Sequence, residues 1–384
     1  MRGKTRSIFW FAGSILIVRL LTGIPQPTVA QTNPAQTGRE QFQQARLQEA
    51  LQTYQQVLQI NRQQSNTSGE AQTLIYLGDV YNELSQNQEA LVVAQQALAI
   101  YQKLGNRQGE GEALDNLGEA YSGLEEYEQA LATLQQALVI HQEVGNRKSE
   151  GETLTNLGAV YLNLSQYPKA VETLQQALSI RREVKDKLHE PETLAWLGFA
   201  YFGSGNAQQG LELLNQGLVL SREVNHVLWE GGILQITGLV YSNLGQPEQA
   251  LEFYTSALEI IQQSGNLSWE AQTLLWMGQA YSNLGQSSSA LEAYQQALPL
   301  YRNLENRFQE ALTLQSIGFA YFLRHSHQTA LEYYQQALVI IRDLDNSVLE
   351  ANNREQSGNA YFLLGDMPAA RDSYLQALEI FFGK

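Results

Sequence analysis

Apolar residues recur along the chain at the spacing of an α-helix. One stripe lies between residues 107 and 123 and consists of Leu114, Leu117, Gly118 and Tyr121. Its spacing of i, i+3, i+4 and i+7 places these residues on one helix face. A second stripe follows after a short turn and consists of Ala130, Leu131, Leu134, Ala137 and Leu138. The pattern predicts two helices, residues 107–123 and 127–144, that pack through their apolar faces.

The same helix pair repeats along most of the chain with a fixed period of 40 residues. A glycine marks the first helix of every copy: Gly78, Gly118, Gly158, Gly198, Gly238, Gly278, Gly318 and Gly358. A tyrosine follows this glycine, and alanine occupies two registers of the second helix except in the fourth copy, where Gly210 and Gly217 replace it. A constant period of this length predicts a stack of eight similar units.

The repeated glycine needs a physical reason, because glycine inside a helix costs about 1 kcal/mol relative to alanine. We therefore expect the paired helices to approach closely at the glycine and alanine registers. The ends of the helices are also marked. Gly105 suits a left-handed residue that closes one helix, and Asn106 suits the N-cap of the next.

These residues resemble the tetratricopeptide repeat. In that motif a Leu-Gly pair is followed by Tyr and later by two alanines around an aromatic residue; the matching residues are Leu117, Gly118, Tyr121, Ala130 and Ala137. Leu114 replaces the opening Trp of the motif, and the period is similar to the longer-helix variety of kinesin light chain. The Asn-Leu-Gly and Gly-Asn-Arg phrases resemble bacterial, especially cyanobacterial, arrays. The resemblance implies an all-α, right-handed α-solenoid of helix-turn-helix repeats that binds a protein or an extended peptide in its concave groove.

The repeat divides the chain into segments. Residues 31–64 are a degenerate copy that we expect to cap the N-terminal end, and residues 65–384 form eight 40-residue units, numbered one to eight below. Unit four differs from the others, because Pro191 lies where we expect the first helix and Gly210 and Gly217 lie in the second. We predict that this unit is the weak point of the stack and acts as a hinge.

Residues 1–30 have the composition of an export signal. Residues 1–6 carry three positive charges, residues 7–18 are apolar, and small residues precede a cut after Ala30. We predict cleavage there and a mature protein that is exported, either periplasmic or secreted. An uncleaved anchor is the alternative, although twelve apolar residues are fewer than the ~20 that span a bilayer.

Composition excludes several classes of function. The chain has 24 Lys and Arg against 39 Asp and Glu, a net charge of −15, so we expect no binding to nucleic acid or to an anionic membrane. It has no cysteine and therefore no disulfide or cysteine-ligated metal. No phosphate-binding loop, zinc-protease motif or nucleophile elbow occurs. We expect no enzyme, no cofactor and no metal site; His325 and His327 are two metal ligands without a third nearby.

A change of chemistry along the predicted groove suggests where a partner binds. The face of each first helix opposite its core stripe is acidic in the early units and apolar in the later ones. The predicted partner-binding residues are Asp79, Glu112, Asp115, Glu119, Phe199, Phe202, Leu239, Leu275, Phe319, Phe322 and Phe362. Such a groove suits a peptide with basic and apolar segments. The alternative is that these aromatic residues pack against neighbouring helices as core.

We therefore expect a non-catalytic, exported scaffold that binds protein or peptide. The alternative function is a purely structural spacer, or an assembly component of an envelope complex. The apolar C-terminal residues Phe381 and Phe382 also suggest a homodimer through the C-terminal edge, unless they fold back onto unit eight.

Overall fold

The computed structural model describes residues 34–44 and 46–382, and within these ranges the chain forms 18 α-helices and no β-strand. The predicted all-α class is therefore confirmed. The predicted export signal lies outside the described residues. The helices are α1 Pro34–Gln43, α2 Leu47–Gln63, α3 Thr67–Glu83, α4 Asn87–Leu104, α5 Arg107–Gly123, α6 Tyr127–Val144, α7 Arg147–Asn163, α8 Tyr167–Glu183, α9 Glu190–Gly203, α10 Ala207–Glu223, α11 Val227–Asn243, α12 Pro247–Ser264, α13 Leu267–Asn283, α14 Ser287–Asn303, α15 Arg307–Leu323, α16 His327–Asp343, α17 Ser347–Leu364 and α18 Met367–Phe382.

Capping residues of the repeat set the helix ends. The side chain of Asn106 accepts a hydrogen bond from the backbone N–H of Gly109, at 3.1 Å, and so caps the start of α5. Gly105, just before it, closes α4 with a left-handed φ of 64°. Helices α5 and α6 span the predicted residues 107–123 and 127–144, so the predicted pair is confirmed.

Small residues let the two helices of a unit pack closely. A Cβ atom added at Gly118 of α5 would lie 2.5 Å from Cγ of Leu134 on α6. Ala130 and Ala137 of α6 have no exposed surface. Larger side chains at these registers would force the helices apart, because protein interiors are close-packed. This confirms the packing reason predicted for the repeated glycine.

In unit four the two helices meet backbone to backbone. A Cβ atom at Gly210 would lie 2.6 Å from the carbonyl oxygen of Gly198, and one at Gly198 would lie 2.8 Å from that of Gly210. Pro191 lies in the first helix of the unit, as expected, but α9 begins at Glu190, so the proline is in the first turn, where a missing N–H breaks no hydrogen bond. The glycines thus serve a close crossing, and the hinge stays a prediction.

The helices are arranged in two layers. The first helices of the units, α3, α5, α7 and onward to α17, each contact the first helix of the next unit and form one layer. The second helices contact the first helices before and after them and form the other. Apolar clusters continue from unit to unit; one of them joins Leu274, Tyr294, Leu314 and Ile341 from α13 to α16. The layer of first helices faces the inside of the superhelix.

The stack returns on itself, so that unit five touches the N-terminal end. Leu228, at the start of α11, belongs to the same buried cluster as Leu47 and Tyr54 of α2 and Leu84 after α3. The side chain of Asn266 also donates a hydrogen bond to the backbone oxygen of Glu83, 183 residues earlier. We call this set of interactions the closure contact. It encloses a central space between the first helices.

The C-terminal edge of the stack is apolar and exposed. Leu378, Phe381 and Phe382 of α18 are 49, 53 and 73 % exposed. They do not fold back to a buried position on unit eight, and the predicted homodimer stays a prediction. None of the helices in the described part of the chain is long and apolar enough to cross a membrane.

A central cavity and its aromatic pocket

A cavity of about 920 Å³ lies in the space that the closure contact encloses; we call it the central cavity. Its wall comes from the end of α3, the turn after it and the start of α4, from α5, α6, α7 and α9, from the start of α13, and from the end of α14 and the turn that follows it. Distant units therefore build one site. Side chains from units one, two, three, four, six and seven face the same space.

The central cavity is acidic. The charged residues that line it, as far as the structure describes them, are all glutamates, and no Lys, Arg or His is among them: Glu83, Glu89, Glu119, Glu192 and Glu305. Such a site attracts a cation and repels an anion.

Glu119 is held in place by two amides from the neighbouring units. Its Oε2 accepts a hydrogen bond from Nδ2 of Asn82 at 3.0 Å, and its Oε1 accepts one from Nδ2 of Asn156 at 2.5 Å. The three residues lie on α3, α5 and α7, so the first helices of three consecutive units orient this carboxylate. Burial raises the pKa of Glu119 well above its usual range, and the charge of Glu152 adds to the effect.

Glu192 links the acidic wall to the aromatic residues. Trp196 lies one turn later on α9, and both residues line the central cavity. Nη2 of Arg181 lies 3.9 Å from the carboxylate of Glu192, but Nη1 of the same guanidinium pairs more closely with Asp186, at 2.9 Å. Burial raises the pKa of Glu192 and, to about 8, the pKa of Glu83. These carboxylates therefore lack a full counter-charge.

An apolar pocket of about 250 Å³ continues from the central cavity; we call it the aromatic pocket. Trp196 and Trp269 line both spaces, so the two are adjacent. The other lining residues come from α9, α11 and α13: Phe199, Trp229, Gly232, Gln235, Ile236, Leu239 and Trp276. An apolar cavity of ~150 Å³ already accepts benzene. The aromatic pocket therefore has space for one large apolar side chain.

Edge-to-face contacts hold the tryptophans in this arrangement. The ring of Trp229 lies 5.6 Å from that of Trp196 and 5.9 Å from that of Trp269, both at steep interplanar angles. Trp269 can lie across α11 because residue 232 is glycine: a Cβ there would come within 2.9 Å of the indole ring. At this register, units two to four carry glutamates. The change from Glu192 to Gly232 thus marks the boundary between the acidic wall and the aromatic pocket.

Three of the eleven predicted site residues line these spaces. Glu119 lies in the central cavity, and Phe199 and Leu239 lie in the aromatic pocket. Phe202 stacks on Phe199, with 6.2 Å between the ring centroids, and so supports the pocket from behind. The assignment of the eleven residues to partner binding itself stays a prediction.

Two predicted residues are buried and not available to a partner. Asp115 is 4 % exposed; its carboxylate lies 2.7 Å from Nε2 of His141 and accepts a hydrogen bond from Thr153 at 2.6 Å. Leu275 is 3 % exposed and packs in the cluster of units six and seven. Both lie where the first helices of neighbouring units contact each other, whereas Gln235, at the same register in unit five, lines the aromatic pocket.

The remaining predicted residues lie apart from the two spaces. Asp79 and Glu112 are half-buried on α3 and α5. Phe319 is 42 % exposed and stacks on Phe322 at 6.4 Å, and Phe362 is 52 % exposed on α17. The late apolar residues, which the sequence suggested as anchors, are thus not in the cavity wall that the structure describes.

Sequence reasoning missed most of the aromatic pocket. Trp229 and Trp269 lie near the starts of their helices, outside the registers taken as the groove. A signal was present, because four of the five tryptophans of the chain fall between residues 196 and 276. Within the described residues no group of three or more His, Cys, Asp or Glu side chains could hold a metal ion.

A family model of the tetratricopeptide repeat matches residues 41–103, 109–183, 233–303 and 309–381, well over half of the chain. The chain belongs to the tetratricopeptide repeat family. The gap in the match between residues 183 and 233 contains most of unit four, where Gly210 and Gly217 replace the alanines of the motif. No match was found among curated proteins.

Several solved structures share this tetratricopeptide fold. A Rap protein in complex with competence and sporulation factor is 18 % identical, with a TM-score of 0.59 over 71 % of this chain and 75 % of the other. The apo quorum sensor NprR from B. thuringiensis is 13 % identical, with a TM-score of 0.58 over 91 % of this chain and 97 % of the other. A signal transduction ATPase with a tetratricopeptide repeat sensor, from Pyrococcus horikoshii, is 15 % identical, with a TM-score of 0.65 over 87 % of this chain and 53 % of the other. At these identities the likeness shows the fold.

Proposed function

We propose that this tetratricopeptide protein is a non-catalytic scaffold that binds an extended peptide, or an exposed segment of another protein, in its central cavity. The observation that carries the proposal is that the acidic central cavity and the aromatic pocket lie side by side, since Trp196 and Trp269 line both. Ligand sites commonly combine an apolar pocket with a few polar groups that fix orientation.

The structural neighbours support binding by this fold. The Rap neighbour was solved with competence and sporulation factor bound, and NprR is described as a quorum sensor. The sequence of residues 1–30 supports a location outside the inner membrane, and we propose that the protein acts there after cleavage at Ala30.

Selection from a random peptide library tests the proposal. The purified protein is immobilised and exposed to a phage-displayed library of dodecapeptides, and enriched peptides are synthesised and measured by isothermal titration calorimetry. We expect peptides that bind the protein and that lose affinity by roughly tenfold or more when Phe199 is replaced by alanine.

Phe319→Ala is the matched control. Phe319 has the same register as Phe199 three units later and stacks on its own neighbour in the same way, but it does not line either space. Equal loss of affinity in both variants would show that the cavity is not the site. If the protein binds no peptide and all its variants keep an assembly role, the result would support the purely structural spacer instead.

A further inference from the structure

The aromatic pocket and the acidic wall together define the chemistry of a ligand, provided that the proposed peptide binding holds. The pocket is bounded almost wholly by carbon, with Gln235 as its one amide side chain, and so has no charged group for a polar ligand. The adjoining cavity carries carboxylates and no basic side chain among its described lining residues. An occupant must therefore be apolar on one side and cationic on the other.

The acidic wall and the aromatic pocket lie close enough for one peptide segment to contact both. Glu192 and Trp196 lie one helical turn apart on α9 and both line the central cavity, and Trp196 also forms part of the aromatic pocket. A cation beside Glu192 is thus also beside the indole ring, where a cation–π contact adds to the ion pair. The carboxylate of Glu119 faces the same cavity and is oriented by Asn82 and Asn156.

We infer that the occupant is a peptide segment with a lysine or arginine side chain close to a large apolar side chain. The basic group lies against Glu119 and Glu192, and the apolar side chain fills the aromatic pocket beyond Trp196. Burial raises the pKa of both carboxyl groups, and a bound cation adds to the partial counter-charge that Arg181 gives Glu192.

Synthetic peptides test the inference directly. The probes are acetylated and amidated heptapeptides of Gly and Ser that carry one Arg and one Phe separated by zero to three residues. In matched peptides citrulline replaces Arg, which removes the charge and keeps the shape, or Ala replaces Phe. Intrinsic fluorescence reports on binding, because the tryptophans of the described chain, Trp196, Trp229, Trp269 and Trp276, all line the pocket.

We expect the best Arg–Phe peptide to bind, with a change in tryptophan emission. Citrulline in place of Arg should weaken binding ~10-fold or more, since a charge-assisted contact is lost. Alanine in place of Phe should weaken it roughly 30-fold, as at an interface hot spot. Affinity of the Arg peptide should fall with added salt, and that of the citrulline peptide should not.

Protein variants connect each effect to its residue. Glu119→Gln together with Glu192→Gln should reduce the affinity for the Arg peptide to that for the citrulline peptide. Glu332→Gln, an exposed site on α16, changes the net charge by one unit and should have no such effect. Circular dichroism checks that every variant is folded.

The outcomes separate the inference from the proposed function. If library peptides bind through Phe199 but carry no basic residue, or do not respond to the glutamate variants, the inference fails and the proposed function stands. If no peptide binds, both fail. Spermidine and choline are controls for small cations; if either binds as tightly as the best peptide, the cation alone is recognised and the peptide inference is overturned.

Discussion

Replacing Gly210 by alanine tests the close crossing of α9 and α10 in unit four, because the sequence and the structure predict opposite changes in stability. Alanine occupies this register in the other seven units, so the repeat pattern favours the change. Helix propensity favours it as well, by about 1 kcal/mol. Reasoning from the sequence alone therefore predicts a more stable protein.

The structure predicts the opposite result. The new Cβ would lie 2.6 Å from the carbonyl oxygen of Gly198. That distance is about 0.7 Å shorter than the ~3.3 Å of a close C–H···O contact, so α9 and α10 must move apart. Overpacking of this kind costs about 1–3 kcal/mol, and a backbone carbonyl cannot rotate away as a side chain can. Because the clash is with backbone, we take the upper part of this range, about 2–3 kcal/mol; less the ~1 kcal/mol of helix propensity, the expected net loss in the free energy of unfolding is about 1–2 kcal/mol.

Urea denaturation followed by circular dichroism measures the change. Because repeat proteins can unfold in more than one step, hydrogen exchange of the amides in α9 and α10 locates the effect. Gly151→Ala on α7 is the control: its Cβ would meet only side-chain carbons of Ile180 and Arg181, at 3.2 and 3.4 Å. We expect that variant to be neutral or more stable, by up to the ~1 kcal/mol that helix propensity contributes.

A gain in stability for Gly210→Ala, of the size that helix propensity gives, would refute the close crossing. The same experiment bears on the site, because α9 carries Trp196 and Phe199. Separation of α9 from α10 should therefore also alter the tryptophan emission of the folded protein.

Three further predictions concern charge, assembly and processing. Burial and the charges of Glu192 and Asp79 raise the pKa of Glu83 to about 8, above the ordinary value that it has when unfolded, so the fold loses stability as the pH rises from about 4.5 to 8. Glu83→Gln should therefore raise the melting temperature by a few degrees at pH 8.5 and little at pH 5. Equal shifts at both pH values would contradict this. Light scattering at tens of micromolar should give a dimer for the wild type and a monomer for Phe381→Ser/Phe382→Ser; a monomeric wild type rules the dimer out. The intact mass of the exported protein should match a chain that begins at Gln31, and a full-length chain retained in membranes would contradict cleavage.

The repeat made the fold readable from the sequence. Because eight copies of one pattern can be aligned with each other, the register of Gly118, the cap at Asn106 and the bounds of α5 and α6 follow from local rules. Local rules were insufficient in unit four, where Pro191 moves the start of α9 to Glu190.

The site was less predictable, because it depends on how the superhelix winds. A helical wheel places Asp115 and Glu119 on the same face, yet the first is buried between α5 and α7 and the second faces the central cavity. The difference is set by the angle between successive units, which one unit's sequence does not contain. For the same reason Trp229 and Trp269, near the starts of their helices, were not recognised as pocket residues.

The closure contact changes how this array unfolds. A repeat array is ordinarily a one-dimensional series in which each unit couples only to its neighbours, and its terminal units fray independently. Here Leu228 and Asn266 couple the N-terminal end to units five and six, across 183 residues in the case of Asn266. Fraying of α2 and α3 would also remove one wall of the central cavity. By thermodynamic linkage, a ligand held there stabilises the N-terminal units, and local unfolding at that end releases the ligand.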